Sequence, residues 1–594
     1  MRRISLLIVF IFAALTTWAV KAYTLPITVT QSDGTQLTVI GHGGSEFHWY
    51  TTTDGTLLVH VGTDYFVAQI DSEGELMPTR QLAHEPRLRS AAEKQLVAAQ
   101  NKTLFHEKAP ERLRRAAARH EPVSGSNLFP HNGEPKAVVI LVEFPDVKFT
   151  LPDPRKSFEQ YLNYLDVPKD FGHREDANAY SVKRYFKDMS AGAFIPQFDL
   201  YGPVTLSHNM SYYGKNNSNG KDNDNYKKVV SEACELLDGQ IDFSQYDSDG
   251  DDNIDLVYVI YAGYGENIQG NDSNCLWPKS WGTGVTGTYD GMSIRRCGIN
   301  NELNGYPDSY KTEPYKRITG IGLFCHEFSH CLGLPDFYPA NNNSARIDNQ
   351  APEEWSVMDG GEYVLNGYWP TAYTAWEREA MGWFTIDELT ESGDVELVNI
   401  DRGGKAYRIR NENQKDEYFI VQNIQQDKWN SYQRGHGMIV FHVYYYQSIY
   451  ENNRVNDTAG KPNMSIVPAD GRVLTSYNVD NVTITNNDYY AELAGDPFPG
   501  TSNVRYLDET MNLPNFQFYF GNKPNKAFYD ITETDGVVRF KFISDFASGI
   551  KTVNSKSAST DGNAIYDLQG RRMTNRDALK KGIYIIDGKK VVVK

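Results

Sequence analysis

Two histidines four residues apart, with a glutamate beside the first, are the residues best suited to do chemistry. They lie in the segment Cys325-His326-Glu327-Phe328-Ser329-His330-Cys331-Leu332-Gly333-Leu334-Pro335-Asp336. On a helix, residues four apart lie one above the other, so His326 and His330 can present ring nitrogens to a single metal ion. Glu327 can then take a proton from a water molecule held at that ion. The pattern predicts a catalytic zinc site.

A third ligand is expected after a sharp turn. Gly333 can adopt the left-handed conformation that ends a helix, and Pro335 cannot continue one. The turn would bring Asp336 back toward the histidines. Two nitrogens and one carboxylate oxygen leave a fourth position open, which distinguishes a catalytic zinc from a structural one. A glutamate farther along the chain, such as Glu353 or Glu354, is the alternative third ligand.

A methionine follows 22 residues after Asp336, in the segment Trp355-Ser356-Val357-Met358-Asp359-Gly360-Gly361. This segment resembles the Met-turn of metzincin proteases, in which a methionine forms the apolar floor under the metal. Met358 would be that residue. In related sites a tyrosine often helps to hold the oxyanion, and the candidates here are Tyr363 and Tyr373.

These residues predict peptide-bond hydrolysis without an acyl-enzyme. Zinc would polarise the scissile carbonyl and lower the pKa of its bound water, and Glu327 would pass that water's proton to the leaving amine. A cysteine nucleophile at Cys325 or Cys331 would not need Glu327 and Asp336 at these offsets. No Gly-x-Ser-x-Gly elbow accompanies a triad pattern.

A second metal site is expected in an acidic loop, Asp247-Ser248-Asp249-Gly250-Asp251-Asp252-Asn253-Ile254-Asp255. Oxygen-bearing side chains at every second position are typical of a calcium loop. The candidate Ca²⁺ ligands are Asp247, Asp249, Asp251, Asn253 and Asp255. Tyr258 stands where an EF-hand has its twelfth-position glutamate, so the loop would be a single structural site. A solvated acidic turn is the alternative.

The elements that must position these residues form a mixed α/β region. Residues 136–144 are β-branched and apolar, which predicts a buried strand that opens a new domain. Helices are expected near 181–189 and 225–237, and the mixed pattern continues to about Trp383. Residues 256–265 are the expected edge strand, along which an extended peptide could add to the sheet.

The flanking regions differ in pattern. Residues 23–71 alternate apolar and polar positions and predict a small β-rich unit, and residues 88–120 predict an exposed helix or linker. Its basic stretch 112–119 is where a processing protease would cut. After about Thr385, short aromatic and β-branched segments predict a β-sandwich or similar module to about Asp545. A polar linker at 548–563 precedes two or three further strands.

The predicted organisation is multidomain. An α/β (α+β) metzincin-like protease domain lies between a β-rich prosegment and a β-sandwich-like domain. The expected boundaries are 1–22 for a signal peptide, 23–130 for the prosegment, 131–386 for the catalytic domain, 387–547 for the β-rich domain, and 548–594 for a linker and β tail.

The amino terminus predicts export. An apolar run from Ile4 to about Ala14 follows Met1-Arg2-Arg3, and Val20-Lys21-Ala22 is a small-x-small cleavage site. The run is shorter than the roughly 20 residues of a membrane-spanning helix, and no later stretch is long and apolar enough. We therefore expect no integral membrane segment after processing. The net charge of −17 disfavours nucleic acid and anionic membranes as partners.

The five cysteines are too few for a disulfide scaffold. Cys275 and Cys297 are a candidate bridge, whereas Cys325 and Cys331 lie too far apart around one helix to pair. No cysteine precedes Cys234, which excludes a cysteine-switch form of latency for residues 23–130.

Segments from about Tyr23 to Ile543 resemble the immune inhibitor A-like metallopeptidases. Beside the histidine motif and Met358, they are residues 138–146, 181–186, 276–278, 417–423, 435–442 and 495–500. Ser329 stands where that family usually has glycine. The resemblance implies extracellular proteolysis, Zn²⁺, Ca²⁺ and an N-terminal prosegment, and so a zymogen.

The tail from Ile565 to Lys594 resembles the C-terminal sorting modules of type IX secretion in Gram-negative bacteria. This implies contact with a secretion machinery and passage across, or attachment to, the outer membrane. A terminal β-hairpin without a sorting role is the alternative.

The sequence thus predicts a secreted zinc endopeptidase that acts on extracellular proteins or peptides with Glu327 as general base. One rival is a binding protein or adhesin on an inactive protease scaffold, against which the intact Glu327 argues. The other is a zinc amidase that acts on cell-wall amides. An extended edge strand for the substrate would favour peptides over such amides.

Overall fold

The computed structural model describes residues 27–43, 48–61, 64–72, 74, 76–105, 128–166, 178, 180–216, 224–267, 274–282, 284–304, 317–340, 345, 351–476, 478, 484–521, 523–546, 565–567, 572–573, 582–586 and 589–593. The chain divides into two compact units, 1–120 and 121–594. The expected signal peptide, the basic stretch 112–119 and the polar linker 548–563 lie outside the described residues.

The first unit is built on an antiparallel sheet whose six strands follow sequence order. They are β1 (Ile27–Thr30), β2 (Gln36–Gly43), β3 (His48–Thr52), β4 (Leu57–Val61), β5 (Asp64–Ile70) and β6 (Leu76–Leu82). Helix α1 (Ala91–Ala98) begins after Ser90, whose side chain accepts a hydrogen bond from the Glu93 backbone N–H. The alternating pattern that predicted a β-rich unit therefore corresponds to strands, which continue beyond residue 71 to Leu82.

The second unit begins with a five-stranded sheet in the order β11-β13-β10-β7-β8. Its strands are β7 (Lys136–Glu143), β8 (Gln197–Thr205), β10 (Val257–Tyr261), β11 (Lys279–Trp281) and β13 (Cys297–Asn301), and β9 (Asn253–Ile254) pairs separately with β12 (Ser293–Ile294). Only β11 runs antiparallel to its neighbour within this sheet. Residues 137–142 of β7 are all fully buried, as expected for a strand covered on both faces.

Helices cover both faces of this sheet. They are α2 (Pro154–Asn163), α3 (Val182–Met189), α4 (Met210–Gly214), α5 (Tyr226–Leu237), α6 (Ile321–Leu332) and α7 (Ala375–Ala380). Val139 and Leu141 of β7 pack in the core that contains α2, α3 and α6, whereas Val138 and Ile140 pack in the core that contains α5. The helices predicted near 181–189 and 225–237 are confirmed as α3 and α5.

Two sequence expectations about this region are wrong. Residues 256–265 do not form an edge strand, because β10 is paired with β7 on one side and β13 on the other. Among the described strands, one edge of this sheet is β11. Cys275 and Cys297 form no bridge, since all five cysteines are buried and none is in a disulfide.

The β-rich region after residue 386 contains two sheets that share one core. The first sheet has the order β14-β16-β17-β18-β19 and the second β15-β22-β21-β20. The strands are β14 (Asp387–Glu388), β15 (Gly393–Leu397), β16 (Tyr407–Arg410), β17 (Glu417–Ile424), β18 (Gly437–Tyr444), β19 (Met464–Ile466), β20 (Leu507–Asp508), β21 (Ala527–Thr534) and β22 (Val537–Ile543), with helices α8 (Gln447–Glu451) and α9 (Asn486–Gly495). Phe419 of β17 and Phe528 of β21 lie in the shared core.

The other face of the first sheet packs in the same core as the helix that carries the histidines. Ile420 and Phe441 of this sheet belong to one hydrophobic cluster with Phe324 and Phe328 of α6. The expected boundary between residues 386 and 387 therefore does not separate two hydrophobic cores.

The described part of the tail is a four-stranded sheet in the order β24-β23-β25-β26. Its strands are β23 (Ile565–Asp567), β24 (Arg572–Met573), β25 (Gly582–Ile586) and β26 (Lys589–Val593). Among the helices of the described residues, none combines the length and apolar character that crossing a bilayer requires.

Candidate metal centre

Helix α6 carries the histidines, and a glycine ends it where the sequence predicts. Gly333 has a φ of 106°, and its N–H donates hydrogen bonds to the carbonyls of His330 and Ser329. Residues with a side chain rarely adopt this conformation, so the glycine allows the chain to leave the helix within one residue. The chain then returns Asp336 to the face of the helix that bears His326 and His330.

The three predicted ligands converge. Asp336 Oδ1 lies 3.1 Å from His326 Nε2 and 3.2 Å from His330 Nε2. His326 Nδ1 lies 2.8 Å from the Val357 carbonyl oxygen and His330 Nδ1 lies 2.7 Å from that of Leu334. A carbonyl can only accept, so each Nδ1 carries a proton and each Nε2 faces Asp336, where a neutral ring would offer its lone pair to a cation.

This donor set fits a cation. Asp336 Oδ1 is buried without a hydrogen-bond donor, and the ligand atoms of the three residues lie within 4.8 Å of one another. Three lone pairs that converge in a buried site need a positive charge between them. Two imidazole nitrogens and one carboxylate oxygen are a set that zinc accepts.

Burial and charge also act on Glu327, the expected general base. Glu327 is only 8% exposed. Burial raises its pKa, while the neighbouring His330 and His326 oppose that rise. Burial would likewise raise the pKa of Asp336, but His330 and His326 hold it well below its usual range. The ligand carboxyl is therefore ionised, while Glu327 is a stronger base than an exposed glutamate.

The methionine segment, residues 355–361, lies against His326, His330 and Asp336, which we call the metal group. Met358 is fully buried, and its carbonyl accepts a hydrogen bond of 2.8 Å from the Phe337 N–H, next to Asp336. The Val357 carbonyl is the one that fixes the His326 ring. This segment therefore orients one ligand directly and contacts the chain beside another.

The alternative third ligands lie elsewhere. Glu353 Oε2 accepts hydrogen bonds from the Tyr489 hydroxyl at 2.9 Å and the Ser476 N–H at 3.2 Å. Glu354 Oε2 binds Arg434 Nε at 3.0 Å. Neither belongs to the group formed by the histidines and Asp336.

The two candidate tyrosines differ in position. The Tyr373 side chain is buried, and its hydroxyl hydrogen-bonds with Ser329 Oγ. Tyr363 is 47% exposed. Burial of its hydroxyl end, next to the carboxyl groups of Glu362 and Glu327, raises the pKa of the phenol. The structure therefore brings Tyr363 to the site and holds Tyr373 in the core.

Three further residues adjoin the metal group and were not found from the sequence. Glu362 is 6% exposed with Oε2 lacking a hydrogen-bond partner, and burial raises its pKa to about 8. The Tyr338 ring lies 6.4 Å from that of His326 at an interplanar angle of 16°. Asn453 binds Asp336. Proximity to Met358 and Asp336 could have indicated the first two, but nothing in the sequence marks Asn453.

The acidic loop brings together part of the predicted calcium set. Asp247, Asp249 and Asp255 have carboxylate oxygens within 4.8 Å of one another. The Asp251 carboxylate instead lies 3.3 Å from Arg295 Nη2, and the Asn253 amide donates to Asp251 Oδ1 at 3.0 Å. The structure thus gathers three of the five candidate ligands.

Comparison with known proteins places this site in a recognised domain. Residues 130–384 match the catalytic domain of the immune inhibitor A peptidases, family M6. "Immune inhibitor A" of Bacillus thuringiensis subsp. alesti is 26% identical over 327 residues, which cover 48% of this chain and 46% of that protein. "Pre-pro-metalloprotease PrtV" of Vibrio cholerae serotype O1 (strain M66-2) is 25% identical over 274 residues, 41% of this chain and 29% of that protein.

The chain spans less than half the length of these curated relatives. Their names describe an immune inhibitor and a metalloprotease, and the matched residues contain His326, Glu327, His330, Asp336 and Met358. Residues 130–384 are therefore similar to the catalytic domain of the immune inhibitor A metallopeptidases.

Proposed function

We propose that this protein is a secreted zinc-dependent endopeptidase that hydrolyses peptide bonds of extracellular proteins. The observation that carries the proposal is that two histidine Nε2 atoms and Asp336 Oδ1 converge. The helix that bears both histidines also bears the buried Glu327. This arrangement lies within a domain matched to metallopeptidases.

The residues divide the chemistry between them. Zinc held by His326, His330 and Asp336 would supply Lewis acidity to the scissile carbonyl and to water. Glu327 accepts a hydrogen bond from the attacking water, takes its proton, and delivers that proton to the leaving amine. The exposed Tyr363 donates its hydroxyl hydrogen to the substrate oxygen on which negative charge develops.

The surrounding fold supports a metzincin-like arrangement. The Met358 segment contacts both His326 and the chain next to Asp336, as expected for a Met-turn. The two sheets after residue 386 share a core, which supports a β-sandwich-like domain. We take these as features of the proposed protease.

A peptide substrate has an edge strand to which it can add. Within the described residues, β11 (Lys279–Trp281) borders the catalytic sheet and is paired on one side only, with β13. An extended peptide can continue a sheet by main-chain hydrogen bonds, whereas a carbohydrate-linked amide cannot. The edge strand therefore favours an endopeptidase over a cell-wall amidase.

The proposal includes export, a prosegment and calcium. One matched relative is named a pre-pro-metalloprotease, which supports a leader and a prosegment in residues 1–130. Asp247, Asp249 and Asp255 offer converging oxygens, which suit Ca²⁺. The tail sheet would serve secretion or attachment to the cell surface.

A hydrolysis assay with metal removal tests the proposal. Processed protein is incubated with a quenched peptide library alone, with a zinc chelator, and after zinc is added back. We expect cleavage that the chelator abolishes and zinc restores, with internal cut sites identified by mass spectrometry. Protein that binds zinc but cleaves no peptide would instead support the binding-protein or cell-wall amidase alternatives.

A further inference from the structure

The third ligand of the metal group is held by a side chain outside the matched catalytic domain. Asn453 Oδ1 accepts a hydrogen bond from the Asp336 backbone N–H at 2.6 Å, and Asn453 Nδ2 donates to Asp336 Oδ2 at 2.7 Å. Because a backbone N–H can only donate, this contact determines which way the amide faces. One side chain thus fixes both the backbone of Asp336 and the rotation of its carboxylate.

The contact leaves a single carboxylate oxygen for the metal. Asp336 Oδ2 is occupied by Asn453, while Oδ1 lies 3.1 Å and 3.2 Å from the two histidine Nε2 atoms. A ligand that is already oriented loses less conformational freedom when the metal binds. Hydrogen bonds to the ligands of a metal increase its affinity for this reason.

The backbone of Asn453 is fixed by the end of helix α8. The Arg454 N–H binds the Ile449 carbonyl at 3.0 Å and the Asn453 N–H binds the Tyr450 carbonyl at 3.3 Å, the two hydrogen bonds of a Schellman motif. Asn453 takes the left-handed position of that motif with a φ of 52°. Asparagine is among the few side-chain-bearing residues that adopt this conformation readily.

Asn456 attaches the same loop to the catalytic segment. This residue is fully buried, and its Nδ2 donates to the carbonyls of Phe337 and Met464, each at 2.6 Å. Its Oδ1 accepts from the backbone N–H groups of Asn463 and Met464 at 2.7 Å and 2.9 Å. The loop between α8 and β19 is therefore bonded to the residue after Asp336 as well as to its own sheet.

We propose that Asn453 is a positioning residue that makes Asp336 the third zinc ligand, so that the β-rich region completes the metal site. This inference rests on the proposed zinc function of that site. Asn453 acts through Asp336, the partner in both of these side-chain hydrogen bonds. The matched catalytic domain, residues 130–384, lacks this residue.

Two variants of the full chain test the proposal in different ways. Asn453→Asp keeps the shape of the side chain but turns an acceptor toward Asp336 Oδ2. Asn453→Gly removes the side chain and retains the left-handed backbone. The matched control is Asn452→Ala, because Asn452 is exposed and its amide donates to the Ser448 carbonyl at 2.7 Å.

The measurements are the zinc dissociation constant, from competition with a chromophoric chelator, and the visible spectrum of the Co²⁺-substituted protein. We expect both Asn453 variants to bind zinc about 10- to 100-fold more weakly and to show an altered cobalt spectrum. Asn452→Ala should match wild type in both. The melting temperature of each metal-free protein reports folding independently of the metal.

Wild-type zinc affinity and an unchanged cobalt spectrum in either folded Asn453 variant would overturn the inference. A lower melting temperature with unchanged zinc affinity would also overturn it, because Asn453 would then serve the fold alone. The two substitutions perturb the loop differently, so a folding defect in one leaves the other as the test. Failure of wild type to bind zinc would instead count against the proposed function itself.

Discussion

Each histidine of the metal group uses one ring nitrogen to fix its orientation, and the other faces Asp336. The fixing partners are the backbone carbonyls of Val357 and Leu334. A carbonyl cannot change protonation, so the tautomer that exposes Nε2 is set by the fold. The same logic extends to Asp336, where Asn453 occupies the oxygen that the histidines do not face.

The two tyrosines should separate catalysis from stability. We expect Tyr363→Phe to lower kcat on the order of 100-fold with little change in stability, because it removes a hydroxyl near Glu327 that can donate to the developing oxyanion. Tyr373→Phe removes a buried hydroxyl bound to Ser329 and should cost about 1 kcal/mol of unfolding free energy with kcat nearly unchanged. Steady-state kinetics and urea denaturation measure both effects.

The reverse result, with kcat lost in Tyr373→Phe and retained in Tyr363→Phe, would contradict the assignment of Tyr363 to the site.

At the residue scale, spacing on one helix predicted that His326, Glu327 and His330 act together, and the turn at Gly333 made Asp336 one candidate for the third ligand. The choice between Asp336 and the later glutamates could not be made from spacing. It depends on Tyr489 and Arg434, which bind Glu353 and Glu354 from segments distant in sequence. Asn453 was missed for the same reason.

At the scale of elements, a buried pair of carboxyl groups lies beside the methionine segment. The Glu353 N–H donates to Asp359 Oδ2 at 2.8 Å. Burial raises the pKa of Glu353 from 4.5 to about 7 and also raises that of Asp359. The folded protein therefore holds a proton on Glu353 that the unfolded chain has released between these two pH values.

This pKa difference predicts how stability depends on pH. Because the folded state binds the extra proton, the contribution of Glu353 is fully present below pH 4.5 and is lost as pH rises through about 7. Glu353→Gln stays neutral, so we expect it to be more stable than wild type at pH 8, on the order of 1–3 kcal/mol, but not at pH 4.5. Urea unfolding at both pH values, with metal removed, measures the difference.

An equal effect of Glu353→Gln at pH 4.5 and pH 8 would contradict the predicted proton uptake.

The acidic loop yields a matched pair of variants. We expect Ca²⁺ to raise the melting temperature of wild type, since a ligand at about 100 times its Kd adds roughly 2.7 kcal/mol. Asp249→Asn removes a charge from the converging group and should reduce this shift. Asp252→Asn should not, because Asp252 is exposed and lies outside the group.

Equal calcium-induced shifts in wild type and Asp249→Asn would show that the loop is a solvated acidic turn. Differential scanning fluorimetry measures the shifts, and a zinc chelator in the buffer ensures that they are caused by calcium and not by zinc.

The local sequence pattern predicted individual helices and strands better than it predicted which strands pair with each other. The apolar run at 136–144 predicted a buried strand, now β7, and helix signals predicted α3 and α5. The same kind of apolar run at β10 was wrongly assigned to an edge of the sheet. A fully buried strand and an edge strand differ in pairing, which depends on β13, a strand some forty residues later.

At the scale of the whole molecule, the catalytic and β-rich regions share a hydrophobic core within one compact unit. The sequence could suggest a boundary near residue 386 because the pattern changes there from mixed to β-rich. The sequence could not show that one face of the sheet that contains β17 packs against α6. Both faces of β17 are buried, so its residues do not alternate between apolar and polar.

Glu327 is proposed to act as general base at a zinc site built by its helix neighbours. The most direct measurement compares wild type with Glu327→Gln, which keeps size and polarity but cannot accept a proton at neutral pH. Zinc content and peptide hydrolysis are measured on the same preparations. We predict equal zinc and a loss of about 100- to 10,000-fold in kcat. A Glu327→Gln variant that binds zinc and retains wild-type kcat would contradict this role of Glu327.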